Sequence, residues 1–558
     1  MGPDLIEAKP VRAGCANGSP GPMSSPVHAM LRAVSPASPG SLDDLLAQDT
    51  GSIPALIRQH AAVRPHHPAL IAGDDRLDFA GLDAMMDRVA AALQRDGVGP
   101  GGAVAIAASS SIAYVAVYLG AVRAGASVAP LQPSVLPDSL AAMLDDAGAA
   151  LVFVDDAAGR SLAAATRPIA AARVALDGSS AGRPLSGWLA PAGVAPRPVA
   201  LDPEAPFNLI YSSGTTGTPK GIVQSHRMRW AHVRRGDVYG YGPDAITLVS
   251  TPLYSNTTLV SLLPTLALGG TSVLVPRFDV AEFLRLAERH RVTHAMLVPV
   301  QYDRILRHDG FDRADLSSFR VKFCTSAPFA AALKAEVLRR WPGGLVEFFG
   351  MTEGGGTCIL AAHLHPDKLH TVGKPADGHD MRAIDDDGRE VAPGEVGELV
   401  GHSPLAMMTG YHGRPDATAA AEWRDATGKR FIRTGDLGRF DDEGFVTIVG
   451  RKKDVIISGG FNVYPVDLEA ALIAHAAVAE AAVVGVASPR WGETPVAFVV
   501  LEAGHTADPE ALRVFANERL GKTQRIAEVV VAASLPRSSI GKVLKRELRD
   551  SYTGPARG

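Results

Sequence analysis

The sequence predicts an α/β protein in two unequal parts. A large N-terminal domain is built on doubly covered, mostly parallel sheets with a small β-rich subdomain, and a small α+β C-terminal domain follows. Three observations carry this. Between residues 78 and 349 short apolar strands alternate with amphipathic helices, the pattern that lays helices over both faces of a parallel sheet. After about residue 380 short alternating strands take over, separated by turn signals such as Asp387-Gly388 and Pro393-Gly394. From Lys452 onward about a hundred residues mix strand and helix patterns again, a normal size for a small domain. At 558 residues the chain is too long for one hydrophobic core.

In chain order, the first 45 residues are rich in Gly, Pro, Ser and Ala without any period, the composition of a disordered extension. They lack the apolar core of a secretory signal, and Met30 offers a later start. The domains are accordingly placed at residues 1–45, 46–452 and 453–558. Leu82, Met86, Val89, Ala90 and Leu93 line one helix face that Gly97 ends. Residues 103–107 form an apolar strand, and Ser111 caps a helix whose Ile112, Val115, Ala116 and Leu119 share a face. Residues 140–147 read as a helix and 151–154 as a strand; 273–275 is a strand, 280–287 a helix, and 295–300 the next buried strand. Two further strands, 319–324 and 345–349, end in Thr325-Ser-Ala-Pro328 and Gly350-Met-Thr-Glu353, turns of the kind at which open α/β sheets bind ligands. In the last domain 468–473 and 509–520 read as helices, 481–486 and 496–500 as strands.

The chemistry centres on Tyr211-Ser-Ser-Gly-Thr-Thr-Gly-Thr-Pro-Lys-Gly221, which follows the short buried strand 208–211. Its glycines let backbone N–H groups close around anionic oxygens, and its threonine hydroxyls and Lys220 add donors and charge. The stretch reads as a cradle for nucleotide phosphates. It is not a Walker loop, because a proline precedes the lysine and no Gly-Lys-Ser/Thr follows.

A formal net charge of −4 gives no ground for a nucleic-acid or polybasic membrane role, and no apolar run is long enough for integral membrane association. Three scattered cysteines, Cys15, Cys324 and Cys358, make neither a disulfide framework nor a zinc site, so a cytoplasmic setting is expected.

With Phe348-Phe-Gly-Met-Thr-Glu353, Arg433-Thr-Gly-Asp436, Gly450-Arg-Lys-Lys453 and Pro536-Arg-Ser-Ser-Ile-Gly-Lys542 following the phosphate loop in order, the chain resembles the adenylate-forming superfamily from about residue 50 to 550. That superfamily holds acyl- and aryl-CoA ligases, luciferases of the firefly type and adenylation domains. The resemblance implies ATP, Mg²⁺ and CoA as co-substrates and cofactor. It also implies a small-molecule carboxylic acid as partner, and a monomer or homodimer.

By resemblance, Thr215, Thr216, Gly217, Thr218 and Lys220 hold the β- and γ-phosphates. Phe349 stacks on adenine beside Gly350 and Met351, Thr352 meets the α-phosphate, and Glu353 binds the metal. Asp436 accepts the ribose hydroxyls with Arg451 nearby, and Lys542 bridges the carboxylate and α-phosphate. Lys453 is the hinge of a mobile C-terminal domain. Ser458, Gly459, Gly460 and Phe461, with Trp491, then line the CoA tunnel.

Two departures from the family pattern bear on the acid. Tyr254-Ser255-Asn256 stands where many relatives carry an aromatic–histidine pair, and Cys324-Thr325-Ser326 replaces a glycine-rich turn. The acid pocket is therefore assigned to Tyr254, Ser255, Asn256, Cys324, Thr325 and Gly354, with Gly354-Gly-Gly356 supplying space. No acidic residue lies between Tyr254 and Thr258, which argues against an amino acid, and no arginine lies there to clamp a second carboxylate. An aromatic or medium-chain monocarboxylic acid fits. The chain stops soon after Lys542, which favours a CoA ligase over a stand-alone enzyme loading a carrier protein.

Overall fold

The computed structural model describes Asp44 and residues 46–212, 220–521, 524–538 and 541–554. The expected extension, Asp44 apart, and the assignments to Thr215, Thr216, Gly217 and Thr218 fall outside these residues.

Two large sheets form the body. The first has nine strands and runs parallel through its centre, from Gly344–Phe349 across Val321–Cys324, His294–Leu297, Ile246–Val249 and Thr271–Leu274 to Pro68–Ala72. The second has eight, and its parallel centre joins Pro206–Ser212, Ser127–Pro130, Ala103–Ala107, Ala149–Val154 and Ala172–Ala175. Central strands such as Ala103–Ala107 are buried at every residue, because helices cover both faces. The helices begin where side chains meet the first free backbone donors. Asp78 accepts from the Gly81 N–H at 2.8 Å to start Phe79–Arg95, and Ser111 accepts from that of Tyr114 at 3.1 Å to start Ile112–Arg123.

The β-rich subdomain is a five-stranded antiparallel sheet of Asp380–Ile384, Gly397–His402, Glu422–Arg424, Arg430–Phe440 and Val446–Arg451. The C-terminal unit packs Pro465–Ile473 and Pro509–Asn517 on a second five-stranded sheet around Leu468, Leu472, Val483, Val499 and Leu512. The expected α/β class is therefore observed. One boundary differs from expectation. The strand expected over 295–300 ends at Leu297, because Pro299 opens the helix Pro299–Leu306, where a missing N–H costs nothing. The Thr-Gly-Asp turn lies inside Arg430–Phe440, as a bulge against Gly397–His402. Among the described residues no helix is long and apolar enough to cross a membrane.

Candidate active site

The Gly/Thr stretch joins two antiparallel strands, Pro206–Ser212 and Lys220–Ser225, with Ser212 opposite Lys220. It is therefore a hairpin connection, unlike phosphate loops that rest on a helix N-terminus. Lys220 Nζ lies 5.1 Å from the Tyr411 ring centroid, and the Tyr411 hydroxyl donates to Glu353 Oε1 at 2.8 Å. One aromatic side chain thus spaces the expected phosphate lysine from the expected metal carboxylate. Burial, then the Glu353 charge, pushes the Tyr411 pKa up, so the phenol stays a donor.

The turn after Gly344–Phe349 carries Gly350 to Glu353 and is held from below. Gln224 Nε2 donates to the Thr352 carbonyl at 2.6 Å, and the Met408 N–H to that of Glu353 at 2.7 Å. Both backbone oxygens are thus engaged, which fixes the turn that carries Thr352 and Glu353. Met351 packs against a small core of Ile222, Met408 and Ile432, and Phe349 is half-buried at the strand end.

Gly354 does not supply pocket space as expected. At φ +72° its absent Cβ would lie 2.2 Å from the Ala406 carbonyl oxygen and 2.9 Å from Met228 Cε. The glycine run exists because other chain segments already occupy that space. Gly354→Ala should cost at least about 1–3 kcal/mol from the left-handed backbone alone, read as a lower melting temperature together with weaker ATP binding. An unchanged melting temperature would contradict this account.

Asp436 and Arg451 face each other across adjacent strands, joined by an ion pair at 2.6 Å. Asp436 is almost completely buried, and burial raises its pKa against the opposing pull of Arg451 and Lys542. Lys542 comes from the C-terminal unit. Its own N–H donates to Ser538 Oγ at 3.2 Å and its carbonyl accepts from the Ser538 N–H at 2.8 Å. Gly541, at φ +79°, lies so close to Val300 that a Cβ would sit 2.8 Å from Val300 Cγ1. The loop is thereby pressed onto the large domain, and an ion pair between Arg307 and Glu502 at 3.2 Å adds a second contact.

The Lys542 side chain remains open to solvent in the cleft, yet enough protein surrounds it that desolvation, then Arg451, lowers its pKa. Asp436 and Glu353 pull the other way, which puts all three in one electrostatic field. The adenylation kcat/KM should accordingly fall on the alkaline side below the ordinary lysine pKa of 10.5, as free enzyme loses the Lys542 proton. A pyrophosphate-exchange pH profile without that early limb would refute this.

The acid-side residues divide. Ser255 caps the helix Asn256–Ala267, and Asn256 Oδ1 accepts from Gln224 Nε2 at 3.4 Å. Thr325 Oγ1 donates to the Phe348 carbonyl at 2.8 Å, which ties two strand ends together. Tyr254 is half-buried beside Tyr114, which feels its charge. Cys324, by contrast, does not line the pocket. It points into the core that contains Tyr302 and Trp341, while its neighbour Phe323 faces Tyr239 and Phe348 on the other side of the sheet. Burial pushes the Cys324 thiol up, as expected for an inert core residue.

The fold also brings in residues the sequence did not single out, Gln224, Tyr411 and Thr257, and pairs the last with Ser326 of the departing turn. The Thr257 and Ser326 hydroxyls meet at 2.6 Å, with Ser326 at φ +80°. That strained backbone at the turn before Ala-Pro is the one signal the sequence held, as a serine in a glycine-type position.

Ser458, Gly459, Gly460 and Phe461 form the tip of a hairpin in the C-terminal unit, with the Gly459 N–H donating to the Trp491 carbonyl at 2.8 Å. Phe461 and Trp491 are about half exposed, at 57% and 47%. It is the charge of Lys542, not this hairpin, that acts on Asp436 here. Lys453 lies exposed in the turn Lys452–Asp454 that joins the two units.

Among the described residues no three His, Cys, Asp or Glu side chains converge as a metal cage. Glu353 alone suits Mg²⁺, which takes one or two carboxylates and completes its shell with phosphate oxygens and water.

Comparison with known proteins agrees with this geometry. Residues 57–412 match the AMP-binding enzyme family and residues 467–542 the AMP-binding enzyme C-terminal domain. The chain belongs to the AMP-binding enzymes, the adenylate-forming family of acyl-CoA synthetases. It is 35% identical to a feruloyl-CoA synthase of Amycolatopsis over 90% of its own length and 99% of that protein's. It is 33% identical to an indoleacetate–CoA ligase of Aromatoleum aromaticum, covering 88% and 96% of the two chains. Among solved structures, ATP-bound MatB from Rhodopseudomonas palustris superposes with a TM-score of 0.81 at 29% identity, over 90% of this chain and 99% of that one.

Proposed function

We propose that the protein is an ATP-dependent ligase that joins an aromatic carboxylic acid to CoA through an acyl-adenylate. The observation that carries this is the convergence of Lys542 on Asp436, Arg451 and Glu353, beside a hairpin loop suited to phosphates. In the first step a carboxylate oxygen attacks the α-phosphorus of ATP, and the bond to the departing pyrophosphate breaks. Two anions must be brought together, so the catalytic need is positive charge and fixed donors rather than a base.

Lys542 supplies charge where carboxylate and α-phosphate meet. Thr352 donates to the α-phosphate, Lys220 and the threonines of the loop hold the pyrophosphate, and Phe349 stacks on adenine. Asp436 accepts the ribose hydroxyls, oriented by Arg451. Glu353 would hold Mg²⁺, which neutralises phosphate charge when bound. In the second step the CoA sulfur attacks the acyl carbonyl, AMP leaves, and the thiol proton passes to solvent. The exposed Phe461 of that hairpin and the neighbouring Trp491 form the face that would guide CoA once the C-terminal unit turns about Lys453.

The aromatic class is supported by the aryl acids of the two relatives and by Tyr239, whose ring packs edge-on to Phe348 at 5.5 Å beside the motif. Incubation with ATP, Mg²⁺ and CoA against a panel of aryl and medium-chain aliphatic acids tests the proposal, reading AMP and thioester. Aryl thioesters are expected. AMP-linked product without CoA thioester would instead favour a carrier protein as acceptor.

A further inference from the structure

Tyr211 opens the Gly/Thr stretch, yet nothing in the proposed reaction uses it. Its ring lies across the backbone of Gly221, where a Cβ would sit 3.2 Å from both its Cζ and its hydroxyl oxygen. Gly221 follows Lys220 and stands opposite Tyr211 in the hairpin. The Tyr211 hydroxyl donates to Asp146 Oδ2 at 2.7 Å, and Arg414 Nη2 donates to the other oxygen, Oδ1, at 2.8 Å. One carboxylate thus bridges two segments far apart in the chain. Asp146 is the last residue of the helix Pro137–Asp146, where the free carbonyls disfavour an anion and the last turn carries no basic residue of its own. Arg414 supplies the missing cation. Burial, then the bond to Asp146, pushes the Tyr211 pKa up, so its phenol remains the donor.

Arg414 belongs to the segment that holds the other side of the phosphate site. Gly410–Tyr411 is the outer strand of the eight-stranded sheet, with Gly410 opposite Val223 and Tyr411 opposite Ile222 on the strand of Lys220. The His412 N–H donates to the Gly221 carbonyl at 2.7 Å. Thr418 couples Tyr411 to Arg414: its hydroxyl accepts from the Tyr411 N–H at 2.9 Å and donates to the Arg414 carbonyl at 3.0 Å. Tyr411 in turn donates to Glu353, and its ring faces Lys220. Contacts therefore run from Asp146 in two directions. One passes through Tyr211 to Gly221 beside Lys220, the other through Arg414 and Tyr411 to Glu353.

We infer that Asp146 is a positioning residue for the pyrophosphate half of ATP. Its bridge between Tyr211 and Arg414 fixes the spacing of Lys220 and Glu353, across which the β- and γ-phosphates bind. The inference rests on the roles proposed above for Lys220 and Glu353, and adds a bridge that acts only through other side chains. Both bonds to Asp146 are charge-assisted, and a small misplacement of groups that hold a reacting phosphate is costly even when the altered side chain does not touch it.

Binding of ATP and of AMP to one variant separates this role from a general loss of fold, because AMP lacks the two phosphates concerned. In Asp146→Asn, and separately in Tyr211→Phe, the Kd for ATP should rise about 5–30-fold, as measured by titration calorimetry of the full chain with Mg²⁺ and no acid. The Kd for AMP should change by less than about twofold. The double variant should lose no more than about the larger single loss, since both changes cut one bridge. Equal weakening of ATP and AMP, unchanged ATP binding in either single variant, or losses that multiply in the double variant each overturn the inference. Tyr211→Phe removes one hydroxyl and leaves the Asp146–Arg414 pair in place, so it decides the matter by itself should Asp146→Asn fail to fold. Lys220→Ala is the control for the underlying roles and should likewise weaken ATP while sparing AMP. If Lys220→Ala binds ATP as the native enzyme does, the assignment of Lys220 to the phosphates falls, and the inference falls with it.

Discussion

Lys542→Ala is expected to lower acyl-adenylate formation by about 10²–10³-fold or more, while thioester formation from supplied acyl-AMP changes by less than about threefold. The reason is positional. Lys542 sits at the cleft beside Gly541, which packs so close to Val300 of the large domain that a Cβ would lie 2.8 Å from Val300 Cγ1. There its charge sits in the field of Asp436 and Glu353. That charge matters only while a carboxylate approaches the α-phosphorus. In the proposed second step the same domain presents its Phe461 and Trp491 face instead, and Lys542 is expected to take no part in the thiol's attack. Pyrophosphate exchange measures the first half-reaction and acyl-AMP consumption the second. Equal losses in both would show that Lys542 holds the fold or the docking rather than the first step.

Asp436→Ala comes next in size, with kcat/KM for ATP expected to fall by about 10²-fold or more, mostly through KM. Asp436 is buried, and its one ion pair among the described residues, to Arg451 at 2.6 Å, comes from the adjacent strand. Removing the carboxylate takes away the proposed ribose acceptor and leaves Arg451 without its paired anion, so the loss is expected to exceed that of one exposed hydrogen bond. Because burial raises the Asp436 pKa, the native enzyme should lose ATP affinity on acidification before ordinary aspartates titrate. As pH falls through that raised value, the acceptor becomes a neutral acid. Asp436→Asn should already be weak and show no such acid limb. A KM for ATP unchanged in either variant would remove Asp436 from the nucleotide site.

Cys324 and Gly354 show where reading along the chain stops. Both sit beside pocket residues in sequence, and both turn away in space. Alternation along a strand sends Cys324 to the opposite face from Phe323, and Ala406 with Met228 takes the space beside Gly354. Adjacency in sequence says nothing about which face a residue presents unless the strand's register is known.

By itself the sequence determined the α/β class, the division into large and small units, and the ordered motifs from Lys220 to Lys542. These depend on hydrophobic period and on residue types at short spacing, which are local properties. Only the tertiary structure decided which side of the small domain faces the cleft, and that Tyr411 and Gln224 brace the motif turn. Those are contacts between segments from tens to hundreds of residues apart, and their energetics come from burial and missing partners that no single stretch of chain contains.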